Sequence, residues 1–151
     1  LGISRRNLDL VREGMIETVN GRRGTARRSR IADEAREAAG KTGTSQVRNI
    51  TVAERARGVF RNEDLPWNRR DHALFVGYAP YEAPRYAVAV VVEHGGGGSK
   101  AAAPVARDVL MRTLYGPEPP LDAYPPGQRP ERPDPAEEEP APGPVSQRIR
   151  T

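Results

Sequence analysis

The chain has 151 residues, a formal charge of +4, 15 Gly, 15 Pro, 5% aromatic residues and no Cys. That length allows one hydrophobic core, and the lack of Cys excludes disulfide frameworks, thiolate metal sites and Cys nucleophiles together. The longest apolar run, Ala87 to Val92, is far too short to cross a bilayer, and the residues after Leu1 lack the pattern of a secretory leader.

Residues 4–20 read as a helix: Ser4 is placed to cap it, and Leu8, Val11, Met15 and Val19 recur along one stripe that is expected to be buried. Asn20-Gly21 ends the pattern, and Arg22, Arg23, Arg27, Arg28 and Arg30 make a basic loop around Gly24-Thr25. Residues 31–38 fit a short helical turn or the approach to a strand. Residues 39–48 combine β-branched residues with two glycines, the composition of a strand that something approaches closely. Residues 52–71 are polar and contain Pro66-Trp67, which marks an excursion from the core.

Residues 72–79 and 86–93 are the two best strand candidates, joined by a loop of hairpin length from Pro80 to Pro84. The second is apolar on both faces and is expected to lie in a central, covered position. Gly95 to Gly98 reads as a flexible turn, and the Ala-rich segment after Ser99, with Val105, Val109 and Leu110, reads as a helix that must tolerate Pro104 in its first turns.

Charge and proline divide the chain. Residues 1–115 hold 20 Lys+Arg against 13 Asp+Glu, residues 116–151 hold 4 against 7, and eleven of the 15 prolines follow Tyr115. The later segment has too little apolar surface to offset its ordering entropy and is expected to be a disordered tail. The expected fold class is α+β: antiparallel strands near 39–48, 72–79 and 85–93, with helices near 4–20 and 100–115 packed on the sheet.

The segment Gly40-Lys41-Thr42-Gly43-Thr44-Ser45 carries the chemistry. A phosphate loop needs Gly five residues before its Gly-Lys-Thr and a helix straight after it; position 35 is Ala and the following residues are strand-like. The better match is the Lys-Thr-Gly box, in which a strand edge carries a cation and hydroxyls for a carboxylate and a Gly lets a peptide lie against the backbone.

The surrounding text extends that match. Leu10-Val-Arg-Glu-Gly-Met15, Gly24-Thr-Ala26, Gly40-Lys-Thr-Gly-Thr-Ser-Gln46, His72-Ala-Leu-Phe-Val-Gly-Tyr-Ala-Pro80 and Val90-Val-Val-Glu-His-Gly-Gly96 stand in this order along the chain. Together they resemble the carboxy-terminal part of the class B penicillin-binding proteins, in their elongation-type branch, over about residues 6–116. The resemblance implies a penicillin-binding/serine β-lactamase-like transpeptidase domain, of which residues 1–115 would be the last portion, with 116–151 a Pro-rich tail. It implies that Lys41 holds the donor peptide's carboxylate and tunes the proton network, and that Thr42 and Thr44 offer hydroxyls to that carboxylate. Gly43 would leave room for substrate, and the Thr44 amide would be one of two oxyanion donors. It also implies peptidoglycan stem peptides and β-lactams as ligands, a glycan-polymerising membrane partner, a site on the periplasmic face of the inner membrane, and no cofactor or metal.

That family's nucleophile lies in S-x-x-K and its second box is S-x-N, and both precede the Lys-Thr-Gly strand. None of Ser4, Ser29, Ser45, Ser99 and Ser146 has Lys three residues later or Asn two residues later. The chain is therefore expected to be inactive alone. The resemblance also implies that the last strand, near 85–93, pairs with a first strand of the domain that is missing here, so its edge is expected to be open. Two readings of other classes stand beside this one. A non-catalytic module would capture a peptide carboxy terminus on the same strand edge. A nucleic-acid binder would use the arginine loop, but no aromatic stacking set accompanies it. His72 and His94 flank strands without acidic neighbours at ligand spacing and are assigned structural roles, as are Trp67 and Tyr81.

Overall fold

The computed structural model describes residues 2–131. Helix α1 spans Arg5–Asn20, strand β1 Ala39–Ser45, the short helix α2 Val52–Arg57, the hairpin strands β2 His72–Ala79 and β3 Tyr86–Val92, and helix α3 Ala102–Tyr115. The sheet is antiparallel in the order β1-β2-β3.

Each helix begins and ends for a local reason. The Ser4 side chain accepts from the Asn7 amide, satisfying a donor that the first turn leaves unpaired. Pro104 is the third residue of α3, where its missing N–H has no intrahelical partner to lose. Gly116, with φ 96°, ends α3 and returns its amide to the Arg112 carbonyl at 2.9 Å.

One face of the sheet is covered. Ala73, Phe75 and Ala79 of β2 are buried with Val88, Val90 and Val92 of β3 against them, and α3 lays Ala102, Ala103, Ala106 and Leu110 over that face. The small alanines let the helix approach closely, so the close-packed interior is completed by a few larger side chains, Val19, Ile31, Leu110 and Met111. Gly40 and Gly77 stand opposite each other across β1 and β2, and the Phe75 ring lies over both, filling the space their missing side chains leave.

The other face is closed at one end, where Ala39 is fully buried and the Tyr78 hydroxyl lies out of solvent, and bare beyond it. Val76 and Val91 are 50% and 61% exposed on it, and two of the four residues of the expected buried stripe of α1 are exposed as well, with Met15 half-buried. Of that stripe only Val19 is buried, while Leu8 and Val11 are 45% and 59% exposed. The periodicity identified a helix correctly but not what would cover it. Among the described residues β2 is the central strand and β3 lies at the sheet's edge, in line with the open edge expected of the last strand. The central, covered position read from its composition is corrected, since α3 packs on the face of Val88, Val90 and Val92 while Ala87, Ala89 and Val91 are exposed on the other.

The expectation that everything after 115 is disordered is corrected over residues 116–131. Leu121–Ala123 forms a turn of 3₁₀ helix, Ala123 and Tyr124 are buried, and the Ala32 amide donates to the Ala123 carbonyl at 2.7 Å. The Tyr124 ring covers the guanidinium of buried Arg107 at 5.1 Å. Pro119 and Pro125 are buried as well, so the proline-rich segment is held by packing along its length. The remainder of the expected tail, 132–151, lies outside the described residues. A second brace joins α3 to the turn before β1, where the Tyr115 hydroxyl donates to Asp33 at 2.6 Å and the Arg36 guanidinium lies 4.5 Å from the Tyr115 ring.

Candidate functional site

Strand β1 has β2 on one side and no strand on the other among the described residues, so alternate backbone groups point away from the sheet, with no strand to pair them. The register sets its side chains. Lys41 and Gly43 lie opposite Val76 and Leu74 and belong to the bare face; Thr42 and Thr44 lie opposite Phe75 and Ala73 and belong to the face that α3 covers. The four residues singled out in the sequence therefore do not share a face. They meet across the open edge, where an extended ligand would run between an ammonium on one side and hydroxyls on the other.

Lys41 is exposed, and its ammonium donates to the Thr42 carbonyl at 2.8 Å, leaving donor capacity for a ligand. The Thr42 hydroxyl is 2.9 Å from the Thr25 hydroxyl. A Cβ on Gly43 would stand 3.3 Å from the Leu74 Cβ, so this position is close to its neighbour but not sealed.

Behind the strand the chain is tied back twice. The turn Gly95 to Gly98, read from sequence as flexible, is packed at its end. A Cβ on Gly98 would collide with the Leu74 carbonyl and stand 2.5 Å from the Gly43 oxygen and 3.0 Å from its nitrogen. Gly98 thus sits directly on the strand that carries Lys41 to Thr44. Past the strand, Arg48 and Glu54 form a bidentate pair at 2.7 and 2.6 Å with side chains only 11% and 12% exposed, and Glu54 also accepts from the Phe60 amide. The Arg48 guanidinium holds the Glu54 carboxyl below its ordinary range. Asp71 accepts from the Val47 amide and from Asn62, which in turn accepts from the Asp71 amide. The polar excursion 52–71 is therefore a buttress for the far end of β1.

The two histidines come together. The His94 amide donates to His72 Nδ1 at 2.9 Å, their ring centroids are 4.6 Å apart, and the Trp67 ring meets His94 at 4.3 Å. Among the described residues no group of His, Asp and Glu is arranged to hold a metal. Tyr81 stacks at 6.4 Å on Tyr78, which lies opposite Ala39 at the start of β1. Thr25, Gly98 and the Arg48–Glu54 pair were not singled out as site residues; their positions depend on contacts between segments far apart in sequence.

The family model of the penicillin-binding protein transpeptidase domain matches residues 1–111. The chain belongs to that family. It is 37% identical over 116 residues to the peptidoglycan D,D-transpeptidase MrdA of Haemophilus influenzae, covering 77% of this chain and 17% of that protein. To MrdA of Escherichia coli K12 it is 32% identical over 108 residues, or 72% of this chain and 16% of that one. Among solved structures it is similar to Pseudomonas aeruginosa PBP2 in complex with WCK 5153, at TM-score 0.58 and 40% identity, covering 78% of this chain and 22% of that one. It is also similar to Helicobacter pylori PBP2 in its complex with MreC, at TM-score 0.55 and 34% identity over 73% of this chain and 17% of that one. The transpeptidase-family chain thus spans about a sixth of the length of these curated relatives. The α+β sheet with flanking helices is the fold of part of that domain.

Proposed function

We propose that this chain supplies the donor-binding strand of a peptidoglycan D,D-transpeptidase, an enzyme that cross-links stem peptides through a serine ester and is acylated by β-lactams. The supporting observation is the open edge of β1, with Lys41 on one side and Thr42 and Thr44 on the other, in a chain of the transpeptidase family.

In this reading the donor peptide lies antiparallel or parallel to β1 as an added strand, held by backbone hydrogen bonds. Its terminal carboxylate takes charge-assisted hydrogen bonds from Lys41 and from the hydroxyls of Thr42 and Thr44. A serine outside this chain attacks the donor's amide carbonyl, and the Thr44 amide donates to the oxygen that becomes negative, a contribution worth about 10²–10³ in rate where single donors have been removed from such holes. The leaving amine departs with a proton, and the acceptor amine of a second stem peptide then displaces the serine from the ester. Gly43 keeps the strand surface clear for the donor. A β-lactam follows the first half of this course, with its own carboxylate in place of the peptide's.

The same reading places the whole protein on the periplasmic face of the inner membrane, beside a glycan-polymerising partner. A relative from H. pylori is known in complex with MreC, which supports a multi-protein setting. The test is covalent labelling of the full-length protein with a fluorescent penicillin. Gly43→Val adds a branched side chain on the Leu74 face, where its Cβ would stand 3.3 Å from the Leu74 Cβ, a crowding that a shift of a few tenths of an ångström relieves. The variant is expected to fold and to lose most labelling; labelling at the unaltered rate would contradict the assignment.

A further inference from the structure

We infer that Thr25 is a positioning residue for carboxylate recognition: its hydroxyl orients the Thr42 hydroxyl toward the open edge of β1. The inference rests on the donor-strand reading above.

Thr25 stands between two locked neighbours. A Cβ on Gly24 would collide with the Thr18 carbonyl and stand 2.6 Å from the Glu17 carbonyl, so Gly24 is pressed onto the last turn of α1. Ala26 is buried, and its amide donates to the Thr18 carbonyl at 3.0 Å. The end of α1 is itself fastened to the start of β1, because the Asn20 side chain donates to the Ala38 carbonyl at 2.8 Å and Arg27 donates back to the Asn20 carbonyl at 2.7 Å. The exposed Thr25 side chain is therefore carried on a rigid turn referenced to β1, and its Oγ1 lies 2.9 Å from that of Thr42.

A hydroxyl has one proton to donate and two lone pairs to accept with. When an anion lies at the strand edge, the polarity that serves it has Thr25 donating to Thr42 and Thr42 donating to the carboxylate. Each bond in such a chain polarises the next. Without Thr25 the Thr42 hydroxyl is free to rotate away, and its proton is no longer pre-aimed. The contribution belongs to binding of the carboxylate and not to the acyl-transfer step.

The experiment uses the full-length protein and benzylpenicillin, with acylation kinetics resolved into the binding constant K and the limiting acylation rate k2. Thr25→Val is expected to raise K up to about tenfold with k2 within about twofold, as the loss of the neutral hydrogen bond that aims the Thr42 hydroxyl would. Thr25→Ser restores the hydroxyl and should recover K. In a Thr42→Val background, Thr25→Val should have no further effect, because the two act as one unit. Benzylpenicillin methyl ester, which lacks the charge, should react alike with unaltered protein and Thr25→Val. An effect of Thr25→Val confined to k2, full additivity with Thr42→Val, or no rescue by Ser would each overturn the inference. If the double variant of Thr42 and Thr44 to Val reacts normally, the donor-strand reading itself fails. If that double variant is impaired while Thr25→Val is not, only the role of Thr25 fails.

Discussion

Gly98→Ala tests whether the turn before α3 sets the position of the candidate site. A methyl group there would stand 2.5 Å from the Gly43 carbonyl oxygen and would overlap the Leu74 carbonyl. Ordinary carbon–oxygen contacts are about 3.3–3.6 Å, so the turn and β1 must separate by about 1 Å. Both obstacles are backbone atoms of paired strands, which cannot rotate aside as a flexible side chain would. Overpacking of this kind costs about 1–3 kcal/mol, and a shift of about 1 Å in a positioned group costs up to about 100-fold in rate. In the full-length protein the expected result is a melting temperature lower by roughly 2–10 °C together with fluorescent-penicillin acylation slowed by about 10–100-fold. Gly97→Ala is the control, since nothing lies within 4 Å of a Cβ there, and it should label normally. Unchanged melting and unchanged labelling of Gly98→Ala would refute the contact between the turn and the strand. A lower melting temperature with normal labelling would refute the coupling to the site.

Three further outcomes are expected. Glu54→Gln leaves the Arg48 guanidinium largely buried without its carboxylate; because Glu54 titrates below its ordinary range, its stabilising effect is present above that range and is lost as pH falls through the lowered value. The variant should therefore be less stable in thermal melts at pH 7, with the gap closing in acid. Tyr115→Phe removes the hydroxyl whose hydrogen bond holds Asp33 below 3.8, so acid unfolding should begin at higher pH. Burial, followed by the Asp33 contact, pushes Tyr115 up to about 12 from 10.0, so its stabilising effect is complete below the ordinary value and lost as pH rises through the raised one; that alkaline loss should vanish in the Tyr115→Phe variant. Tyr124→Ala strips the cover from Arg107 and should destabilise by about 3 kcal/mol in denaturant titration, whereas an unpacked tail would give almost no change.

Local physics made much of the fold legible. Ser4 caps α1 whatever surrounds it, the alternating and β-branched runs specify β2 and β3, and Pro104 fits the first turn of α3 by its missing donor. Lys41 to Thr44 could be assigned to a strand because residue type and spacing are properties of the chain itself, and the ordered segments around them carried the family. What covers a surface is not such a property. Leu8 and Val11 have the spacing of a buried stripe yet face outward, and β3 has the composition of a central strand yet forms an edge, because burial depends on partners that periodicity does not name. Tyr124 is buried over Arg107, with Pro119, Ala123 and Pro125 buried beside it, although the composition of the segment argued for disorder, because an average over residue types does not see which of them pack. The strand assignment by itself puts Lys41 on one face and Thr42 and Thr44 on the other; only the tertiary structure decided which face α3 covers, set Gly98 against Gly43, and brought the Thr25 hydroxyl from 17 positions away to Thr42. Contacts of that kind are made where separate elements meet, and their distances are decided by packing.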